Sequence, residues 1–155
     1  VFLLRPHHAS FNKRLVKMPK LYFYDAGLVS WLLGIRTVEQ LETHPLRGSI
    51  FETFIISELA KSLLNHGERP SLFFWRDSNG NEIDVLVEQG TMLTPIEIKS
   101  GRTLTEESFS GLKKWCALAG DRAIKQSLIY GGNESYMHKG VKVTGWTESG
   151  ILLHS

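Results

Sequence analysis

Residues 81–101 read NEIDVLVEQGTMLTPIEIKSG, two short segments of alternating charged and aliphatic residues divided at Gly90. Side chains two apart on a strand share a face. Ile83, Val85 and Val87 are therefore expected on one side of a first strand, with Glu82, Asp84, Leu86 and Glu88 on the other. In the second strand Ile96 and Ile98 oppose Glu97 and Lys99. If the aliphatic sides share a core, the charges share the opposite face.

The flanking sequence extends this pattern into a fold. SLFFWRDSNGNEIDVLVE predicts two strands around a tight turn, since Asn79-Gly80 suits positive backbone angles. A second turn at Gln89-Gly90 leads into PIEIKS and completes a three-stranded antiparallel meander. Upstream, SIFETFIISELAKSLLNHG repeats apolar residues at helical spacing through Ile50, Phe51, Phe54, Ile55, Leu59 and Leu63, with Gly67 as a stop. Helical winding puts Thr53, Ser57, Ala60 and Lys61 on its polar side, while Glu52 and Glu58 intrude on the apolar arc. Downstream, Thr105, Glu106 and Glu107 open an amphipathic helix through Phe109, Leu112, Trp115 and Cys116 that stops at Gly120. QSLIYGG reads as a buried strand, and VKVTGW and ILLHS as one or two edge strands. Near the start, Leu21 to Tyr24 reads as a strand, Asp25 as an N-cap and Gly34 as the end of a short helix, with Trp31, Leu32 and Leu33 in the core. The order from residue 49 is helix, strand, strand, strand, helix, strand, an α/β domain with a mixed sheet flanked by helices.

Bulk composition narrows function only slightly. A 155-residue chain that is 42% hydrophobic and 22% charged is long enough for one sizeable core. The net charge of +2 is compatible with a phosphate-bearing partner without requiring one. Cys116 is the single cysteine and reads as a buried free thiol, so the cytoplasm is the expected compartment. No apolar run reaches membrane-spanning length. The chain begins with Val1, as a piece of a longer protein would. Its first twenty residues hold Arg5, His7, His8, Lys13, Arg14, Lys17 and Lys20 and no acid. They read either as a nucleic-acid contact or as a solvated connector from a preceding domain.

Energetics sharpen the question of the charged face. Asp84 and Glu97 on neighbouring strands would repel by about 4 kcal/mol at about 4 Å and an effective dielectric of about 20. Two arrangements relieve this. A sheet with one wet face carries ordinary cross-strand ion pairs. A sheet covered by a helix needs a partner for each charge, and converging carboxylates hold a hard divalent cation. Other chemistries find less support: the six histidines lack zinc-ligand spacing, and no GxSxG nucleophile signature occurs. Trp75 and Trp115 read as core, while Arg76 and Arg102 flank the charged face as possible phosphate contacts or as solvated side chains.

Glu52 on a helix, Asp84 on a strand and Glu97-Ile98-Lys99 on the next strand resemble the PD-(D/E)XK restriction-endonuclease-like superfamily. More specifically, KMPKLYFYDAGLVSWLLG, RGSIFETFIISEL, FFWRDSNGNEIDVLVE and PIEIKSG look like the C-terminal domain of unknown function carried by a family of bacterial and archaeal AAA+ ATPases. The first resemblance implies a restriction-endonuclease-like mixed sheet and a metal-dependent nuclease acting on nucleic acid. Asp84 and Glu97 would bind Mg²⁺ or Mn²⁺, the Ile98 carbonyl could add a ligand, Lys99 would orient or deprotonate the attacking water, and Glu52 would assist, with Glu58 in reserve. Ile83 stands where the motif's proline would be. The second resemblance implies an ATPase domain ahead of residues 1–48, a connecting extension, and a nuclease-like domain over 49–155. Its alternative is an inactive nuclease fold kept as an interaction or regulatory module. No GxxxxGK[ST] phosphate loop is present, so nucleotide hydrolysis is not assigned to these residues.

Overall fold

Gly80 and Gly90 adopt φ of +82° and +64° at the two turns of the meander, backbone angles that side-chain-bearing residues avoid. The computed structural model describes residues 1–8 and 18–154. Lys13, Arg14 and Lys17 of the basic N-terminal stretch lie outside them. The meander comprises β3 (Leu72–Arg76), β4 (Glu82–Gln89) and β5 (Met92–Lys99), preceded by β1 (Phe2–Pro6) and β2 (Lys20–Tyr22) and followed by β6 (Ser127–Tyr130), β7 (Tyr136–His138) and β8 (Val141–Gly145). Together they form one eight-stranded sheet in the order β2-β1-β3-β4-β5-β6-β8-β7. It is mixed: β1–β3, β5–β6 and β6–β8 pair in parallel, and the other neighbours antiparallel.

Helices cover both faces, so the sheet carries two cores. Helix α3 (Arg47–Asn65) lies on one face, following α1 (Ala26–Leu32) and α2 (Val38–Thr43). Its Ile55, Ile56 and Leu59 are fully buried against Phe74, Val85, Val87, Ile96 and Ile129. On the other face α4 (Ser110–Ala119) follows a 3₁₀ turn at Glu106–Phe109 and packs Leu112 and Trp115 on Trp75, Ile83, Leu86 and Leu128. Each such buried side chain contributes about 1.5–3 kcal/mol. Gly120 ends α4 at φ +55°, and the Asp25 carboxylate caps α1 by accepting from Leu28 N at 3.0 Å, both as expected.

Four expectations need correction. Trp31, Leu32 and Leu33 are exposed rather than core; it is Ala26, Gly27 and Ser30 of α1 that line a recess with Ile50, Phe51 and Phe54 of α3. Thr53, Ser57 and Ala60 of α3 are buried, since the 3₁₀ segment Trp146–His154 and α1 enclose the side expected to face solvent. Thr53 and Ser57 satisfy their hydroxyls by donating to the Ser49 and Phe54 carbonyls, each at 2.8 Å. ILLHS supplies no strand, and β8 is internal, with β7 at the edge beside it. The first residues of the N-terminal stretch are no solvated connector either: Phe2–Pro6 form β1 within the sheet, and His7 is buried with its Nε2 2.7 Å from Glu88 Oε2.

Candidate functional site

The site begins as a defect in β4. Phe73 opposes Leu86 and Trp75 opposes Ile83, so Phe74 faces two residues, Asp84 and Val85. This one-residue bulge turns Ile83 onto the α4 face with Leu86 and Trp75, while Val85 and Val87 stay on the α3 face. The expected grouping of Ile83 with Val85 and Val87 is thereby corrected; strict alternation fails wherever a strand gains a residue. Pairing of β4 with β5 also ends at Val85 and Ile96. Beyond that point the Ile98 N–H donates to Asp84 Oδ2 at 2.8 Å, so a side chain replaces the missing ladder acceptor.

Glu97 projects from β5 toward α4 and is 7% exposed. Lys99 Nζ donates to its Oε1 at 2.6 Å, while its Oε2 is buried with no hydrogen-bond partner. Gly111 leaves the room beside that oxygen: a Cβ there would stand 3.4 Å from Oε2. Lys99 is half-buried and lines a recess of about 350 Å³ with Thr105, Glu107, Ser108 and Ser110.

The charges interact strongly. Burial, then the charges of Glu97 and Glu52, push the Asp84 pKa up, against the Ile98 N–H and Lys99. Burial also raises Glu97, with Lys99 opposing and Glu82 and Glu52 adding to the rise. At Lys99, burial disfavours the cation, but Glu97, Asp84 and Glu52 outweigh it and the pKa rises. A lysine held charged beside carboxylates that resist ionising is the electrostatic pattern of a site lacking positive charge.

Glu52 comes to this cluster from α3, but in other company. Tyr22 Oη donates to its Oε1, and Lys20 Nζ lies 3.4 Å from the same atom. Lys20 also contacts Glu82, whose other oxygen is 3.7 Å from Arg76 Nε. Sequence reasoning missed Lys20, Tyr22 and Gly111 as site residues. Lys20 and Tyr22 are two apart on a strand and so share a face, a signal present in the sequence; their approach to α3 depends on the position of β2 in the sheet.

Several candidates fall outside the cluster. Glu58 pairs with Lys61 one turn on, and Arg102 pairs with Glu42 at 3.2 Å. Cys116 is free and half-buried, and burial pushes its thiol up to about 11. It should therefore react with a thiol-specific disulfide reagent at pH 8 at least about tenfold more slowly than a free cysteine; equal rates would contradict this burial.

Lys99 is held in place by a close backbone approach. Gly131 N donates to the Lys99 and Gly101 carbonyls, both at 3.0 Å, and a Cβ on Gly131 would fall 2.4 Å from Ser100 O. Gly131→Ala should cost about 1–3 kcal/mol by overpacking, read as a lower urea midpoint; an unchanged midpoint would show that the turn after Lys99 yields freely.

Among the described residues, no three His, Cys, Asp or Glu side chains converge as a metal cage. The donors present are two carboxylates, Asp84 and Glu97, joined through the Ile98 N–H that Asp84 accepts one residue beyond Glu97. That set fits Mg²⁺, which takes one or two protein carboxylates and keeps water in its remaining positions. The unpartnered Glu97 Oε2 supplies a free acceptor for it.

Fold and site define a mixed α/β domain that gathers acidic residues and a lysine where two central strands separate. Residues 47–148 match the family described as Domain of unknown function (DUF4143), and the chain belongs to that family. Residues 1–39 match a second family, Domain of unknown function (DUF8612). An uncharacterized protein of Mycobacterium tuberculosis and another of Mycobacterium bovis are each 31% identical over 133 residues, 86% of this chain. The chain spans 28% of the length of these relatives. No helix among the described residues is long and apolar enough to cross a membrane.

Proposed function

We propose that this domain is a metal-dependent phosphodiesterase of the restriction-endonuclease-like kind, acting on nucleic acid with Mg²⁺ or Mn²⁺. The observation that carries the reading is Glu97: one oxygen is bound by Lys99 Nζ and the other is buried and unpartnered, and its charge helps hold the Asp84 carboxyl protonated. Buried like charges are costly without an added cation. Asp84 and Glu97 would hold the ion, with the Ile98 carbonyl as a further donor. The bound ion supplies charge neutralisation at the phosphate and lowers the pKa of water. Lys99 Nζ, reaching a recess open to substrate, orients the attacking water and stabilises charge growing on the phosphate oxygens. Glu52 shapes the field around Asp84 rather than holding the ion, since Tyr22 and Lys20 already occupy its Oε1. Single- and double-stranded DNA and RNA incubated with Mg²⁺ or Mn²⁺ should be cleaved in at least one case, and EDTA should stop it. No cleavage of any of the four would contradict an enzymatic role.

A second reading is a non-catalytic module that assembles with the rest of a longer, ATPase-type protein. Leu28, Trp31, Leu32 and Leu33 form an exposed apolar face on and just after α1, and the relatives extend well beyond the matched region. Such a module would show neither cleavage nor Mn²⁺ affinity, while Trp31→Glu would weaken its assembly.

A further inference from the structure

Four carboxylates meet in this region, and they are held as two pairs. Asp84 and Glu97 stand beside Lys99; Glu52 and Glu82 stand about Lys20, whose Nζ is 3.4 Å from Glu52 Oε1 and in contact with Glu82 Oε1. Lys20 reaches them from β2, the three-residue edge strand, and its ammonium lies 5.2 Å from the centre of the Phe74 ring, over the residue that faces the β4 bulge. Its charge is also felt at Asp84, which ties the two pairs into one field. Among the described residues no three acids converge on a common point, as follows if an ammonium stands between two of them.

We propose that Lys20 is a built-in counter-ion occupying a second cation position, between Glu52 and Glu82, and thereby limits the cluster to one divalent ion. The inference rests on the reading of Asp84 and Glu97 as a cation site. Charge counting supports it: once an ion is bound and all four carboxylates are ionised, the ammonium groups of Lys20 and Lys99 leave two negative charges, the complement of a single divalent ion. Arg76 meets Glu82 only at the rim, at 3.7 Å and half exposed, where an ion pair offsets little charge. Without Lys20, two partly buried carboxylates would face each other with no cation between them, and a second divalent ion would relieve them. Tyr22 Oη, donating to Glu52, positions that carboxylate toward Lys20.

Mn²⁺ titration of the chain, followed by the paramagnetic resonance signal of free Mn²⁺, separates the possibilities. The native chain should bind one ion. Lys20→Met, which keeps the side-chain length over Phe74, should bind two; Lys20→Arg should return the count to one, and Lys20→Met with Glu82→Gln should also bind one. Should Lys20→Met lose its circular dichroism signature of folding, Lys20→Gln takes its place with the same expected second ion. A folded Lys20→Met or Lys20→Gln chain that binds one ion overturns the counter-ion role while leaving the Asp84–Glu97 site intact. A native chain that binds none overturns the cation site itself.

Discussion

Lys99→Ala should lower metal-dependent cleavage by about 10²–10³-fold while the chain stays folded and still binds Mn²⁺. Removal of one preorganised charge aimed at the developing transition state has effects of this order. The fold should tolerate the change because the Lys99 side chain is 39% exposed and its neighbours are the polar residues Thr105, Glu107, Ser108 and Ser110. Mn²⁺ affinity should hold, since Glu97 Oε1 loses its ammonium and becomes available alongside the already unpartnered Oε2. Single-turnover cleavage at saturating Mn²⁺ measures the effect on chemistry apart from that on binding. A loss smaller than tenfold would remove Lys99 from the reaction.

Asp84→Asn should produce two effects of opposite sign. The amide keeps an oxygen to accept the Ile98 N–H but deletes the charge that Glu97 and Glu52 oppose. Mn²⁺ binding should weaken about 100-fold, in the range expected for a disturbed metal shell, and cleavage should fall with it. The metal-free chain should nevertheless become more stable at pH 8. Folding raises the Asp84 pKa from 3.8 to about 8. Between those values the folded state holds a proton that the unfolded state has released, so the metal-free native chain loses stability as pH rises through the window. The asparagine variant lacks that slope. A tenfold change in a protonation equilibrium corresponds to about 1.4 kcal/mol, and partial solvent contact reduces the total, so the gain at pH 8 should be about 2 kcal/mol and vanish near pH 4. Urea unfolding in EDTA at pH 4.5, 6 and 8 reads the slope directly. A variant less stable than the native chain at pH 8 would show that the Asp84 carboxylate is satisfied without a metal.

The meander is legible in the sequence because alternation and the glycine turns are local. Asn79-Gly80 and Gln89-Gly90 set φ by themselves, and Ile96 and Ile98 alternate with Glu97 and Lys99 without a break. The position of Glu97 and Lys99 on one face of β5 follows from that period. The bulge at Asp84–Val85 does not, because it is set by how β4 meets β3 across the sheet, and one additional residue moves Ile83 to the other core. Helix α3 misleads for a related reason. Its Thr53 and Ser57 look solvent-facing by composition, but α1 and the C-terminal 3₁₀ segment close over them, and hydroxyls that donate to their own helix tolerate burial. Trp31 and Leu32 depart the other way: an apolar helix face signals burial only if something apolar packs on it, and here both stay more than half exposed, with the Arg36 guanidinium 5.0 Å over the Trp31 ring. Lys20 belongs to a basic stretch along the chain; the sheet order, which brings β2 beside β1 at the edge near α3, makes it part of the acidic cluster instead.

A crystal grown with Mn²⁺ and its anomalous difference map would locate the ion without reference to activity. The expected result is one strong peak between the Asp84 and Glu97 carboxylates, with Lys99 Nζ beside it and Lys20 still between Glu52 and Glu82. A map with no peak there at saturating Mn²⁺, with Asp84 still bound to the Ile98 N–H and Glu97 to Lys99 alone, would contradict the cation site on which the phosphodiesterase reading stands.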